Sequence, residues 1–151
     1  MINTENLSFE ISDSGYLVRL EPIERIQYNS EIDWDKNWIK TKVSINAGKF
    51  SGQYEGDFRT TDFKAFKEDL SKLYDNLNGT VIFNDLEGYL DLKIIGDGFG
   101  HFNVEVKACD NPGIYGSVLS FNMEFDQTEI NKMVNQLEMI IKQLPVIGSL
   151  N

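Results

Sequence analysis

A chain of 151 residues with 24 acidic and 14 basic side chains carries a net charge of −10, a field that attracts basic partners and repels nucleic acid. One His and one Cys leave few of the groups that nucleophilic, acid–base or metal chemistry uses. Composition therefore favours a binding protein without cofactor or metal over an enzyme. At 41% apolar and 25% charged residues the chain can bury a core without disulfide or metal, and one domain over residues 1–151 is expected.

Alternation at Leu7, Phe9, Ile11 and at Tyr16, Val18, Leu20, broken by Ser12-Asp13-Ser14-Gly15, predicts a hairpin. After Pro22 the pattern becomes irregular through Asp33-Trp34-Asp35-Lys36-Asn37-Trp38. Ile39, Val43 and Ile45 between Lys40, Lys42 and Ser44 then mark a half-buried strand, and Phe50 to Phe58 returns through Asn46-Ala47-Gly48-Lys49. The period changes at Phe63, Phe66, Leu70, Leu73, Tyr74 and Leu77, one apolar helical stripe with Thr60 or Thr61 as N-cap and Asn78-Gly79 as its stop. Strand alternation resumes at Val81 and Phe83, at Leu90, Leu92 and Ile94, at Phe102, Val104 and Val106, and at Leu119, Phe121, Met123 and Phe125. Turns are expected at Asp85-Glu87-Gly88, Gly96-Asp97-Gly98 and Asp110-Asn111-Pro112-Gly113. A second helical stripe, Ile130, Met133, Val134, Leu137, Ile140, Ile141 and Leu144, opens with Asp126 as N-cap and Glu129 three residues later, and stops before Pro145. The order ββββ-α-ββββ-α with short connections predicts an α+β fold: antiparallel meanders of about eight strands, covered on one face by two amphipathic helices.

Gly96-Asp97-Gly98-Phe99-Gly100 has the glycine density of a phosphate loop, but a strand follows it where a helix N-terminus is needed, so it reads as a hairpin turn. His101 could serve hydrolysis only by meeting Ser117, Ser120 or Cys109 from neighbouring strands, oriented by a group such as Asp97. An acidic neighbour, Asp110, argues against a reactive Cys109. Carboxylate pairs such as Asp33 with Asp35 or Glu124 with Asp126 are common by abundance alone, and no calcium-loop spacing occurs. Two Trp among acids in the Asp33 to Trp38 segment have the composition of a binding anchor with a charged rim; packing of one or both Trp over the sheet is the competing reading. Residues 1–36 hold eight acids against three bases, residues 37–78 six against seven, and residues 79–151 ten against four, so local charges are −5, +1 and −6. The segment Met1-Ile2-Asn3-Thr4-Glu5 lacks a secretory pattern, and no apolar run approaches the roughly 20 residues of a membrane span. A cytoplasmic protein without membrane contact is expected.

Several stretches together resemble the WapI family of bacterial immunity proteins. They are Asp33-Trp34-Asp35 and Trp38-Ile39 leading into Lys42-Val43-Ser44-Ile45, Phe50-Ser51-Gly52, the helix Phe63 to Leu77, and Leu90-Asp91-Leu92. Gly96-Asp97-Gly98-Phe99-Gly100-His101-Phe102, Leu119-Ser120-Phe121 and Phe125-Asp126-Gln127-Thr128 continue the match. The resemblance implies a non-enzymatic protein that neutralises the C-terminal domain of a wall-associated polymorphic toxin, in the founding case a nuclease acting on tRNA. An acidic inhibitor suits a nuclease that needs cationic surface to hold phosphates. Asp33, Trp34, Asp35 and Asp97, placed in loops, are the expected partner-binding residues. A small-molecule binding domain with a pocket lined by some of the ten Phe, and a hydrolase using carboxylates or His101, are the alternatives.

Overall fold

The computed structural model describes residues 7–26, 32–113 and 115–148; the side chains of Asp33 and Trp34 lie outside the described residues. Two antiparallel meanders follow each other in the chain, each ending in a helix, an α+β architecture. The first sheet is β1 (Phe9–Asp13), β2 (Tyr16–Arg25), β3 (Trp38–Ala47) and β4 (Phe50–Arg59), in that spatial order, followed by α1 (Thr60–Asn76). The second is β5 (Asn78–Asn84), β6 (Leu90–Asp97), β7 (His101–Cys109) and β8 (Val118–Asp126), followed by α2 (Thr128–Gln143). A short 3-10 helix, Asp33–Asn37, precedes β3.

Alternating burial selects the inner face of each sheet: Val18 and Leu20, Val43 and Ile45, Leu92 and Ile94, Val104 and Val106 point inward. The two helices pack on each other, and each also spans a junction between the sheets: α1 touches β4 and β5, α2 touches β1 and β8. One cluster of buried side chains therefore runs through both sheets and both helices. At its centre Phe83 stacks on Phe58 and Phe63, with centroids 6.2 Å away in each case, and meets Phe66 at 4.9 Å. Phe66 meets Phe9 edge-on at 5.2 Å. Such pairs add about 0.5–1.5 kcal/mol each beyond area burial.

Several polar groups in or beside this core are held by specific hydrogen bonds. Asp85, 6% exposed, accepts the N–H groups of Gly88, Tyr89 and Leu90 at 2.9, 3.0 and 2.8 Å, closing the β5–β6 turn. Tyr54 Oη donates to the Tyr89 carbonyl at 2.7 Å, and burial first, with Asp85 next, pushes its phenol pKa up. Gly56 faces the Tyr89 ring, which would lie 2.7 Å from any Cβ there. Behind α2, Ile147 N–H donates to buried Asn37 and Asn37 Nδ2 donates back to the Ile147 carbonyl. Arg25 donates to the Lys36 and Pro145 carbonyls.

Several local expectations are corrected. Pro22 does not end β2: the strand continues past it through a register shift between Pro22 and Glu24, which accommodates a residue that cannot donate to the ladder. Neither Thr60 nor Thr61 caps α1. Arg59 is the cap residue; its amide and guanidinium both donate to Asp62, while the buried Thr60 hydroxyl has no hydrogen-bond partner. Tyr74 lies off the buried stripe, 46% exposed. The left-handed residue closing α1 is Leu77, at φ 60°, rather than Asn78 or Gly79. Its carbonyl accepts the Gly98 N–H at 3.0 Å and rests where a side chain on Gly96 would intrude at 2.5 Å. Docking against the β6–β7 turn outweighs the cost of about 1 kcal/mol for a non-glycine residue there. Asp126 belongs to the β8 ladder opposite His101, so Gln127 flanks α2; the Asp126 carboxylate still accepts the Thr128 amide at 3.0 Å.

Because Phe66 contributes to both the Phe9 and the Phe83 contacts, Phe66→Ala is expected to lower unfolding free energy by about 3–5 kcal/mol. Chemical denaturation checks this; a loss under 1 kcal/mol would contradict the central role of the cluster.

Candidate functional site

The two acid-rich thirds of the chain bring carboxylates together at the β1–β2 turn. The amide of Glu124 in β8 donates to Asp13 Oδ2 in the β1–β2 turn at 3.3 Å, bridging 111 positions of sequence. Beside this contact the end of the second sheet forms an open depression of about 590 Å³. Asp13, Asp97, Glu124 and Asp126 line it together with His101 and Asn103, and no lysine or arginine is among its lining residues.

On the first sheet acid is balanced strand by strand. On the outer face of the first sheet Lys42 stands between Glu21 and Glu55, Lys40 between Glu24 and Asp57, and Arg19 lies 2.9 Å from Glu10. Such exposed pairs contribute little to stability but cancel the local field. At the depression the field is not cancelled in this way.

The β6–β7 turn, whose ends Asp97 and His101 line the depression, is held from several directions. Asp97 Oδ1 accepts the N–H groups of Phe99 at 2.7 Å and His101 at 3.2 Å, and Asp97 Oδ2 lies 3.1 Å from His101 Nδ1. Gly98 N–H donates to Leu77 and Gln127 N–H donates to the Gly100 carbonyl at 2.9 Å. Gly98 and Gly100 take φ of 87° and 96°, which residues with side chains rarely adopt. The turn therefore presents Phe99, 86% exposed, on a fixed backbone. Leaving that ring in water forgoes roughly 1.5–3 kcal/mol that burial would return.

Of the expected partner-binding residues, Asp97 lies in this site, with its carboxylate committed to bracing the turn. Asp35 does not: it sits in the 3-10 helix before Trp38, while the turn that carries Asp13 adjoins Ala47, the opposite end of β3. A ten-residue strand separates these ends by roughly 30 Å. Asp35 is half-buried, and its amide donates to the Ile32 carbonyl at 3.0 Å. The side chains of Asp33 and Trp34 fall outside the described residues. Trp38 is buried, packed under the Arg59 guanidinium at 5.9 Å, so the sheet-covering reading holds for this Trp.

The arrangement considered for hydrolysis is not formed. His101 is 77% exposed at one end of β7. Ser120 pairs with Lys107, six residues further along, roughly 20 Å away. Cys109 and Ser117 lie farther still, beside the β7–β8 loop that Asp110 closes by accepting the Ser117 amide at 2.8 Å. Among the described residues no group of three or more His, Cys, Asp or Glu is placed to hold a metal ion. The aromatic rings at the centre pack on each other; a smaller apolar cleft of about 300 Å³ lies at the sheet ends among Ile45, Phe50, Gly52, Tyr54 and Leu119. Sequence reasoning overlooked Asp13 and Glu124 as one surface. Phe99 was visible as an apolar residue at a turn tip, but the contact between Asp13 and Glu124 leaves no local trace.

A protein-family model described as the immunity protein WapI-like family matches residues 8–145, most of the chain. No curated protein matches it. Similar solved structures include the plant transcriptional regulator PBF-2, at 12% identity and TM-score 0.47, covering 91% of this chain and 81% of that one. WHY1 from Arabidopsis thaliana has 14% identity and TM-score 0.48, covering 91% and 84%. Trypanosoma bruciei MRP1/MRP2 has 10% identity and TM-score 0.46, covering 93% and 79%. Likeness at this level bears on neither function nor partner. Among the described residues no helix is long and apolar enough to cross a membrane.

Hydrogen bonds from the Phe99 amide first, then from the His101 amide and ring, hold the Asp97 carboxyl below its ordinary value of 3.8. A depressed folded value means the brace contributes stability above pH 3.8 and loses it as pH falls through the lower folded value. Carboxyl-detected NMR titration is expected to place Asp97 below 3.8, and a value at or above 3.8 would mean the turn is not braced as described.

Proposed function

The chain belongs to the immunity protein WapI-like family, and from that membership we propose that it binds and neutralises the C-terminal domain of a cognate polymorphic toxin. Family membership carries the coarse part: an immunity protein has a toxin protein as its partner and needs no catalysis of its own. The finer part is that the toxin domain is a basic nuclease and that the acidic surface at Asp13, Asp97, Glu124 and Asp126 covers it. The observation that supports this is four carboxylates around one depression that has no lysine or arginine among its lining residues. A nuclease must hold phosphates with cationic side chains, so such a surface attracts and blocks it, with association speeded by roughly 10 to 10³. The protein acts in the cytoplasm as one domain, without cofactor, metal or nucleic acid of its own. Asp33, Trp34 and Asp35 form a second proposed contact, far enough from Asp97 for the two effects to add.

The test is calorimetric titration against the toxin domain encoded beside this protein, with the toxin carrying an inactivating substitution. Glu124→Lys should weaken binding about tenfold at low salt and much less in molar salt, since exposed charges are screened there. Equal affinity of parent and variant at low salt would remove the acidic depression from the interface. The Asp33→Lys, Asp35→Lys double variant should weaken binding in its own right, and parental affinity would remove that segment.

A further inference from the structure

We propose that Phe99 is the anchor of the complex and enters the toxin's substrate cleft, so that this protein and nucleic acid compete for one site. The inference rests on the toxin-binding reading and adds to it the residue and the mode of block.

Phe99 is exposed without being loose. The Leu77 carbonyl holds the residue before it, the Gln127 amide holds the Gly100 carbonyl after it, and Asp97 holds the Phe99 amide itself. A ring kept in water on a backbone fixed from both sides loses little freedom when it docks, the condition under which aromatic residues dominate binding. The exposed Phe50 differs in setting: it follows Lys49 and edges the apolar cleft, while Phe99 sits at the tip of a turn whose two ends, Asp97 and His101, line the acidic depression.

The occupant that fits such a tip is cationic and aromatic at once. A nuclease cleft receives bases on aromatic or arginine faces and phosphates on lysine and arginine. A π face at the tip of a turn whose ends line an acidic depression offers both features, the ring standing where a base would stack and the acids where phosphates would lie. Arginine in such a cleft gains from the ring face and from the neighbouring carboxylates together.

The experiment displaces a fluorescent tRNA or, in parallel, a fluorescent DNA duplex from the inactivated toxin domain. The parent protein should compete fully with whichever probe binds, and no ternary complex should form. Phe99→Ala should bind the toxin at least thirtyfold more weakly, with unchanged thermal unfolding because the ring is exposed, and Phe99→Trp should retain most of the affinity. Direct binding of the unlabelled toxin domain separates the two readings. Parent protein that does not bind the toxin overturns both. Parent that binds while Phe99→Ala binds as tightly, or while tRNA or DNA stays bound in a ternary complex, overturns this inference alone and points to a pocket away from the substrate cleft.

Discussion

The contact of Phe83 with Phe58, Phe63 and Phe66 is the constraint on which the remaining structure depends. Phe83 lies on β5, Phe58 on β4, and Phe63 and Phe66 on α1, so one group of rings fixes the second sheet to the first. Phe66 extends it to Phe9 on β1. Neither four-stranded meander could cover its own inner face, and each helix has a single apolar stripe to bury. Interlocked rings satisfy these needs together.

The placement of the surface follows from that arrangement. Once α1 is docked, its left-handed terminus at Leu77 holds Gly98, and the start of α2 at Gln127 holds Gly100. The β6–β7 turn is thereby tied to both helix ends. With α2 against β1 and β8, Asp13 is brought to Glu124, and carboxylates from the two most acidic segments collect at the depression. Charge that reads along the chain as a solubility feature becomes, in three dimensions, a directional one.

The periodic parts of this fold were legible because burial itself is periodic. Val43 and Ile45 alternate with lysines and serine, and Ile130, Met133, Leu137 and Ile140 keep helical spacing, since one face of each element meets the core. Element ends were less legible, because tertiary contacts decide them. Thr60 has the right chemistry for a cap, yet Asp62 pairs with Arg59 and becomes the acceptor. Asn78-Gly79 has the right residues for a helix stop, yet the chain turns at Leu77 to meet Gly98. The family was readable from core, turn and cap patterns. The candidate surface was readable only at Asp97, since its other members converge from turns and strand ends far apart in sequence.

The most direct measurement of the central claim is amide NMR of the labelled protein as the inactivated toxin domain is added. The account predicts that the largest shift changes fall on residues 97–101 and 124–128, where the turn, β8 and α2 meet. Changes confined to other surfaces, with the Phe99 and Glu124 amides unmoved in a saturated complex, would contradict it.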